Sequence, residues 1–124
     1  MYYYFNSNPK NKQTNDSTVR ALARLIGVSY TIAHVMLSFV AKDIDEMTNS
    51  LPTLDKFLRD SGYRKCVVTN DKGDNYTIKD FCNDHKSGRY IAMYDGGVVA
   101  CIDGDYFNAF DCGNEIVLMF WMKE

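Results

Sequence analysis

Apolar residues recur at helical spacing up to Gly62 and in short, strand-sized stretches after it. A chain patterned this way places its helices first and its sheet second, which is the signature of an α+β domain. Asp16 or Ser17 can cap a first helix whose apolar positions are Val19, Leu22, Ala23 and Ile26, with Gly27 as the C-terminal stop. Ser29 caps a second, with Ile32, Val35, Met36 and Phe39 expected on its packed face, and 42–50 reads as a loop. Pro52 fits a first helical turn, and Leu54, Phe57 and Leu58 mark a third helix closed by Gly62.

Beyond Gly62, 65–69 holds the β-rich pair Val67-Val68, and the turn-rich stretch from Asn70 to Asn75 follows. Thr77 with Asp80 three residues later is a capping box, so a short helix is expected over 78–84. Strands are expected over 89–94, 97–102, 105–110 and 116–122, and the Asp103-Gly104 pair marks a tight hairpin between the second and third. The longest apolar run, from Val98 to Ile102, has the length of one strand. Residues 1–14, opening on Tyr2-Tyr3-Tyr4-Phe5, read as an extended N-terminal arm packed on the sheet, or as an aromatic anchor for a partner.

At 124 residues the chain is long enough for one domain with a single core. No apolar stretch approaches the roughly 20 residues of a membrane span, and the aromatic start lacks the basic flank and cleavage site of a signal peptide. A net charge of −2 with both signs scattered offers no basic stripe for nucleic acid. Cys66, Cys82, Cys101 and Cys112 have no CxxC spacing, so free thiols in a reducing cytoplasm are expected. Cys82 and His85 provide two metal ligands at most and no second pair accompanies them, so no metal and no cofactor are expected.

Two stretches carry a family resemblance. Asn8-Pro9-Lys10 followed by Asn15-Asp16-Ser17-Thr18-Val19-Arg20-Ala21-Leu22 resembles the NPK…GDCVVRAL opening of small papain-like cysteine peptidases of Gram-positive bacteria and their phages. Gly96-Gly97-Val98-Val99-Ala100-Cys101-Ile102-Asp103-Gly104-Asp105-Tyr106-Phe107-Asn108-Ala109-Phe110-Asp111 resembles that family's GHVVAVIDGxYYDTWD pattern. The stretch 81–88 is similar to its FCxDHPxG segment. The resemblance implies a papain-like fold with Ser17 at the nucleophile position and Gly97 at the position of the general base. It implies Asn108 or Asp111 at the position that orients the base.

A cysteine peptidase needs a thiolate at a helix start, a base within hydrogen-bond reach and donors for the oxyanion. Serine without a base stays protonated at neutral pH, and glycine takes no proton. Neither His34, mid-helix, nor His85, after the short helix, falls at the base position. The expected function is therefore that of a catalytically inactive pseudo-peptidase in the bacterial cytoplasm. It would bind a protein or peptide partner, with a phage or prophage inhibitor of a host defence system as one version. The alternatives are a cysteine peptidase whose nucleophile has been replaced by Ser17, a weak serine-type hydrolase, and a structural or oligomerising module.

Overall fold

A computed structural model describes residues 1–8, 16–69 and 75–123. Pro9, Lys10 and Asn15 of the N-terminal motif, the arm from 9 to 14, and the turn from Asn70 to Asp74 lie outside the described residues. The described chain runs β1 (Tyr2–Tyr4), α1 (Ser17–Ile26), α2 (Tyr30–Ile44), α3 (Leu51–Asp60), β2 (Tyr63–Val67), α4 (Ile78–Asp84), β3 (Arg89–Tyr94), β4 (Gly97–Ile102), β5 (Asp105–Asn108) and β6 (Met119–Lys123). It is a mixed α+β architecture built on one six-stranded sheet in the order β1-β5-β4-β3-β6-β2.

The central strands of the sheet are buried on both faces, and side-chain alternation sorts their residues accordingly. Ile91, Val98, Ala100 and Trp121 meet Val19, Leu22 and Leu25 of α1 and Leu54 and Leu58 of α3. Their neighbours Ala92, Tyr94, Val99 and Cys101 meet Ile78, Phe81 and Cys82 of α4 on the other side. Burial on both faces is why β4 is a continuous apolar run instead of an alternating one.

Local chemistry sets the element ends. Gly27 closes α1 in the left-handed region (φ 74°), and the Arg89 guanidinium donates to the Leu25 carbonyl at 2.6 Å. Ser29 and Ser50 accept from the backbone N–H of Ile32 and Thr53, capping α2 and α3. Thr77 and Asp80 form a reciprocal capping box at α4. Asp103 (φ 51°) and Gly104 (φ 85°) take the paired positive φ of a two-residue hairpin between β4 and β5.

The expectations for the sheet and for α2 are corrected. The sheet is not wholly antiparallel: Tyr2–Tyr4 joins its edge as a strand parallel to β5, and Tyr3 stacks on Phe107 at 5.5 Å. The arm's start therefore hydrogen-bonds into the sheet at its edge, while Tyr4 stays 61% exposed. On α2 the buried residues are Ala33, Leu37 and Ala41, whereas Ile32, Val35 and Phe39 face outward. Apolar residues occupy both sides of that helix, so spacing alone selects no face, and small alanines provide the close approach. Helix α2 also extends to Ile44, which shortens the loop after it.

Two strands are shorter than expected. β5 stops at Asn108 because that side chain's Oδ1 takes the Ala109 N–H (2.8 Å). β6 starts at Met119, because Ile116 bridges to Thr77 and the Val117 N–H donates to the Tyr76 carbonyl ahead of α4.

Trp121 is fully buried, and its indole N–H donates to Asp55 Oδ1 at 2.8 Å, joining β6 to α3. Asp55→Ala strands that donor in the core. It is expected to cost about 1–3 kcal/mol, read as a lower urea midpoint. Asp60→Ala removes only an exposed partner of Lys56 and should cost less than about 1 kcal/mol. Equal effects of the two changes would refute the packing role given to Asp55.

Candidate functional site

The start of α1 abuts the start of β4, and this brings Ser17 to Gly97. The Ser17 Oγ accepts the backbone N–H of Val98 at 3.2 Å. A β-carbon placed on Gly97 would stand 2.9 Å from the Ser17 Oγ and 3.0 Å from the Tyr94 hydroxyl. Tyr94 is the cross-strand partner of Gly97 in the β3–β4 hairpin, so the two residues share a sheet face. The point from which a base at residue 97 would extend is thus already confined by a serine and a tyrosine.

Asn108 connects to this point through Tyr94. Its Nδ2 donates to the Tyr94 hydroxyl at 3.0 Å, and its Oδ1 accepts from Arg20 Nη1 at 3.0 Å and from the Ala109 N–H at 2.8 Å. Both partners of Oδ1 are obligate donors, which fixes the orientation of the amide. Arg20 also donates from Nε to Asp16 Oδ1 at 2.8 Å, and both side chains are buried. Asn8 Nδ2 donates to the other Asp16 oxygen at 2.9 Å. Burial first and the neighbouring Asp16 carboxylate second push the Tyr30 phenol up to about 12.

Burial is also the leading reason that Tyr94 titrates above the usual range, against the Asn108 N–H that favours the phenolate. The Tyr94 hydroxyl accordingly stays protonated at neutral pH and takes no proton from Ser17.

Asp111 lies elsewhere. It accepts the Tyr106 hydroxyl at 2.6 Å and the Gly113 N–H at 2.9 Å, and it lines a different cavity beside Lys79. Those two hydrogen bonds hold its carboxyl below the usual range, the Tyr106 bond first. Of the two residues proposed for the orienting position, the structure brings Asn108 towards Ser17 and Gly97, and Asp111 it does not.

The two histidines are also distant in role. His34 lies on the exposed side of α2, its ring beside Tyr30. His85 stacks on Phe81 with centroids 4.1 Å apart, and its Nδ1 meets the Phe81 carbonyl at 2.8 Å. Neither lines the cavity at Ser17. That cavity is an open groove of about 360 Å³, walled by Ser17, Leu51, Met93, Tyr94, Gly97 and Leu118 among others. All four cysteines are free thiols, and among the described residues no three His, Cys, Asp or Glu side chains are placed to hold a metal ion. No single described helix is long and apolar enough to cross a membrane.

The roles of two residues of this cluster, Arg20 and Tyr94, went unread in the sequence. Arg20 follows Asp16 by four positions on one helix, a visible ion-pair spacing inside an apolar stretch. Tyr94 is separated from Gly97 only by the turn Asp95-Gly96, so the hairpin register predicts their contact. The chain matches no protein family, no curated protein and no solved structure.

Two predictions follow from this geometry. Gly97→Ala pushes the Ser17 Oγ off the Val98 N–H and is expected to cost about 1–3 kcal/mol. Ser17→Ala should then cost less in the Gly97→Ala background than alone, because the bond it removes is already lost. Urea unfolding of the two single variants and the double variant measures that coupling; strict additivity would contradict the contact.

The second concerns pH. The depressed folded-state pKa of Asp111 stabilises the protein above the unfolded-state value, and that contribution disappears as pH falls through the folded value. The stability gap between the native chain and Asp111→Asn is therefore expected to be widest near neutrality and to shrink towards acid pH. A gap constant with pH would exclude the linkage.

Proposed function

We propose that the chain is a papain-like domain without peptidase chemistry, and that it binds a protein or peptide partner in the groove beside Ser17. The observation that carries the reading is the confinement of the point above Gly97 by Ser17 and Tyr94, in a groove that no imidazole lines. A helix that starts at the nucleophile position and packs on the strand of the base position supports the resemblance of the sequence. The two catalytic side chains of that pattern are replaced by Ser17 and Gly97.

Without a base, Ser17 loses the activation on which serine and cysteine hydrolases depend, and protease sites lacking a triad member fall by factors of thousands or more. What remains is a shape with apolar walls at Leu51, Met93 and Leu118 and exposed polar backbone at the hairpin, which suits an extended peptide segment. The resemblance to a family of bacteria and their phages directs the search to the bacterial cytoplasm, with host defence proteins as the first class of partner.

The test compares three forms of the immobilised chain in extracts of Gram-positive cells. The native chain and Ser17→Ala are expected to retain the same protein, and Leu118→Arg, which places a charge on the exposed groove wall, to release it. Capture that survives Leu118→Arg unchanged would move the binding face elsewhere. Stoichiometric labelling of Ser17 by a fluorophosphonate probe would instead establish a hydrolase.

A further inference from the structure

Gly113 brings two opposite charges to one cavity on the far side of the sheet from α1. That cavity has a volume of about 310 Å³, and its wall includes Tyr2, Lys79, Asn83, Tyr106 and Asp111. Small-molecule sites span about 300–1,000 Å³, so this one suits a small ligand. The Gly113 carbonyl accepts the Lys79 backbone N–H at 3.1 Å, and the Gly113 N–H donates to Asp111 Oδ1 at 2.9 Å. A β-carbon on Gly113 would stand 2.7 Å from Lys79 Cε and 2.9 Å from its Cγ, and would overlap the Tyr106 hydroxyl. The missing side chain is what lets the lysine stem lie across the loop beside that hydroxyl.

The two charges share the cavity without pairing. Asp111 Oδ1 takes both the Gly113 N–H and the Tyr106 hydroxyl (2.6 Å), which leaves Oδ2 with no partner among the described residues. The Lys79 ammonium has no hydrogen-bond or ion-pair partner among them either. The N-terminal ammonium, also on the wall, is already paired with Asp105 Oδ1 at 3.2 Å. The rings of Tyr2 and Tyr106 stand 5.5 Å apart and add apolar surface, and the Tyr2 hydroxyl is fixed on the Asn108 carbonyl at 3.0 Å.

We propose that this cavity binds a free α-amino acid, its carboxylate on the Lys79 ammonium and its ammonium on Asp111 Oδ2. A ligand with one sign of charge would leave one of the two wall charges unmatched, and a neutral apolar ligand would leave both. A zwitterion matches both at once. The tyrosine rings then receive an apolar side chain, and the small volume selects a free amino acid over a longer peptide.

The experiment titrates the nitrogen-15-labelled chain with L-phenylalanine, phenethylamine and 3-phenylpropanoate, following the amide signals of Lys79 and Gly113. The probes share a phenyl ring, but the second lacks the carboxylate and the third the ammonium. Phenylalanine is expected to shift both signals and to bind about fivefold or more tightly than either analogue. Lys79→Gln should erase its advantage over phenethylamine only, and Asp111→Asn its advantage over 3-phenylpropanoate only. A general loss of structure would weaken all three probes together, so these selective losses identify the two contacts. Equal affinity of the native chain for the three probes would overturn the proposal. So would the absence of any shift at Lys79 and Gly113 with millimolar phenylalanine, and both outcomes are read on the native chain without recourse to a variant.

Discussion

A guanidinium without water must be surrounded by acceptors, and the buried Arg20 satisfies this condition with groups from two parts of the chain. Asp16, at the cap of α1, takes Nε; Asn108, at the end of β5, takes Nη1. Removing one partner from such a buried pair costs about 3–5 kcal/mol, a large share of the about 5–15 kcal/mol that holds a typical domain together. Replacing the whole network by apolar side chains could be neutral. The network therefore counts less as a source of net stability than as a constraint on position. It fixes the first turn of α1 against the end of β5, and Ser17 occupies that turn.

The same constraint reaches the groove through Asn108. With Oδ1 committed to Arg20 and the Ala109 N–H, only the amide donor is left to face Tyr94. Tyr94 is then held over the point where a side chain at residue 97 would begin. Helix cap, ion pair, strand end and groove floor form one chain of hydrogen bonds, in which each group's orientation depends on the next. The Asn108 amide also donates from Nδ2 to Cys112 Sγ at 3.5 Å, so the chain of hydrogen bonds reaches the core cluster on the far face of the sheet, to which Tyr94 itself belongs.

Where a few adjacent residues decide a feature, the sequence revealed it. The Ser29 cap, the Thr77–Asp80 box, the Asp103-Gly104 turn and the bounds of β3 and β4 all rest on local backbone chemistry. Features that depend on partners distant in sequence were not legible. The parallel pairing of Tyr2–Tyr4 with β5 joins residues at opposite ends of the chain. The outward turn of Ile32 and Phe39 is decided by how closely Ala33 and Ala41 let α2 approach the core. At the candidate site, the family resemblance singled out positions 17 and 97, and the fold brings those two residues together. The crowding of residue 97 by the Tyr94 hydroxyl was not legible, because it is a matter of side-chain volume in three dimensions.

That volume bears on how far the groove stands from catalysis. A histidine at residue 97 would carry a β-carbon whose nearest neighbours are the Ser17 Oγ and the Tyr94 hydroxyl, so a base could enter only after Tyr94 had moved or become smaller. Even then the amide of Asn108 faces the wrong way. An orienting group accepts the imidazole N–H through oxygen, and the oxygen of Asn108 is already occupied by Arg20 and Ala109. Turning the amide would set its NH₂ against the guanidinium, two donors in contact inside a buried site, at a cost of several kcal/mol in lost acceptors. Placing a nucleophile and a base at positions 17 and 97 would thus be insufficient by itself, because the residues around them are organised to hold a tyrosine hydroxyl.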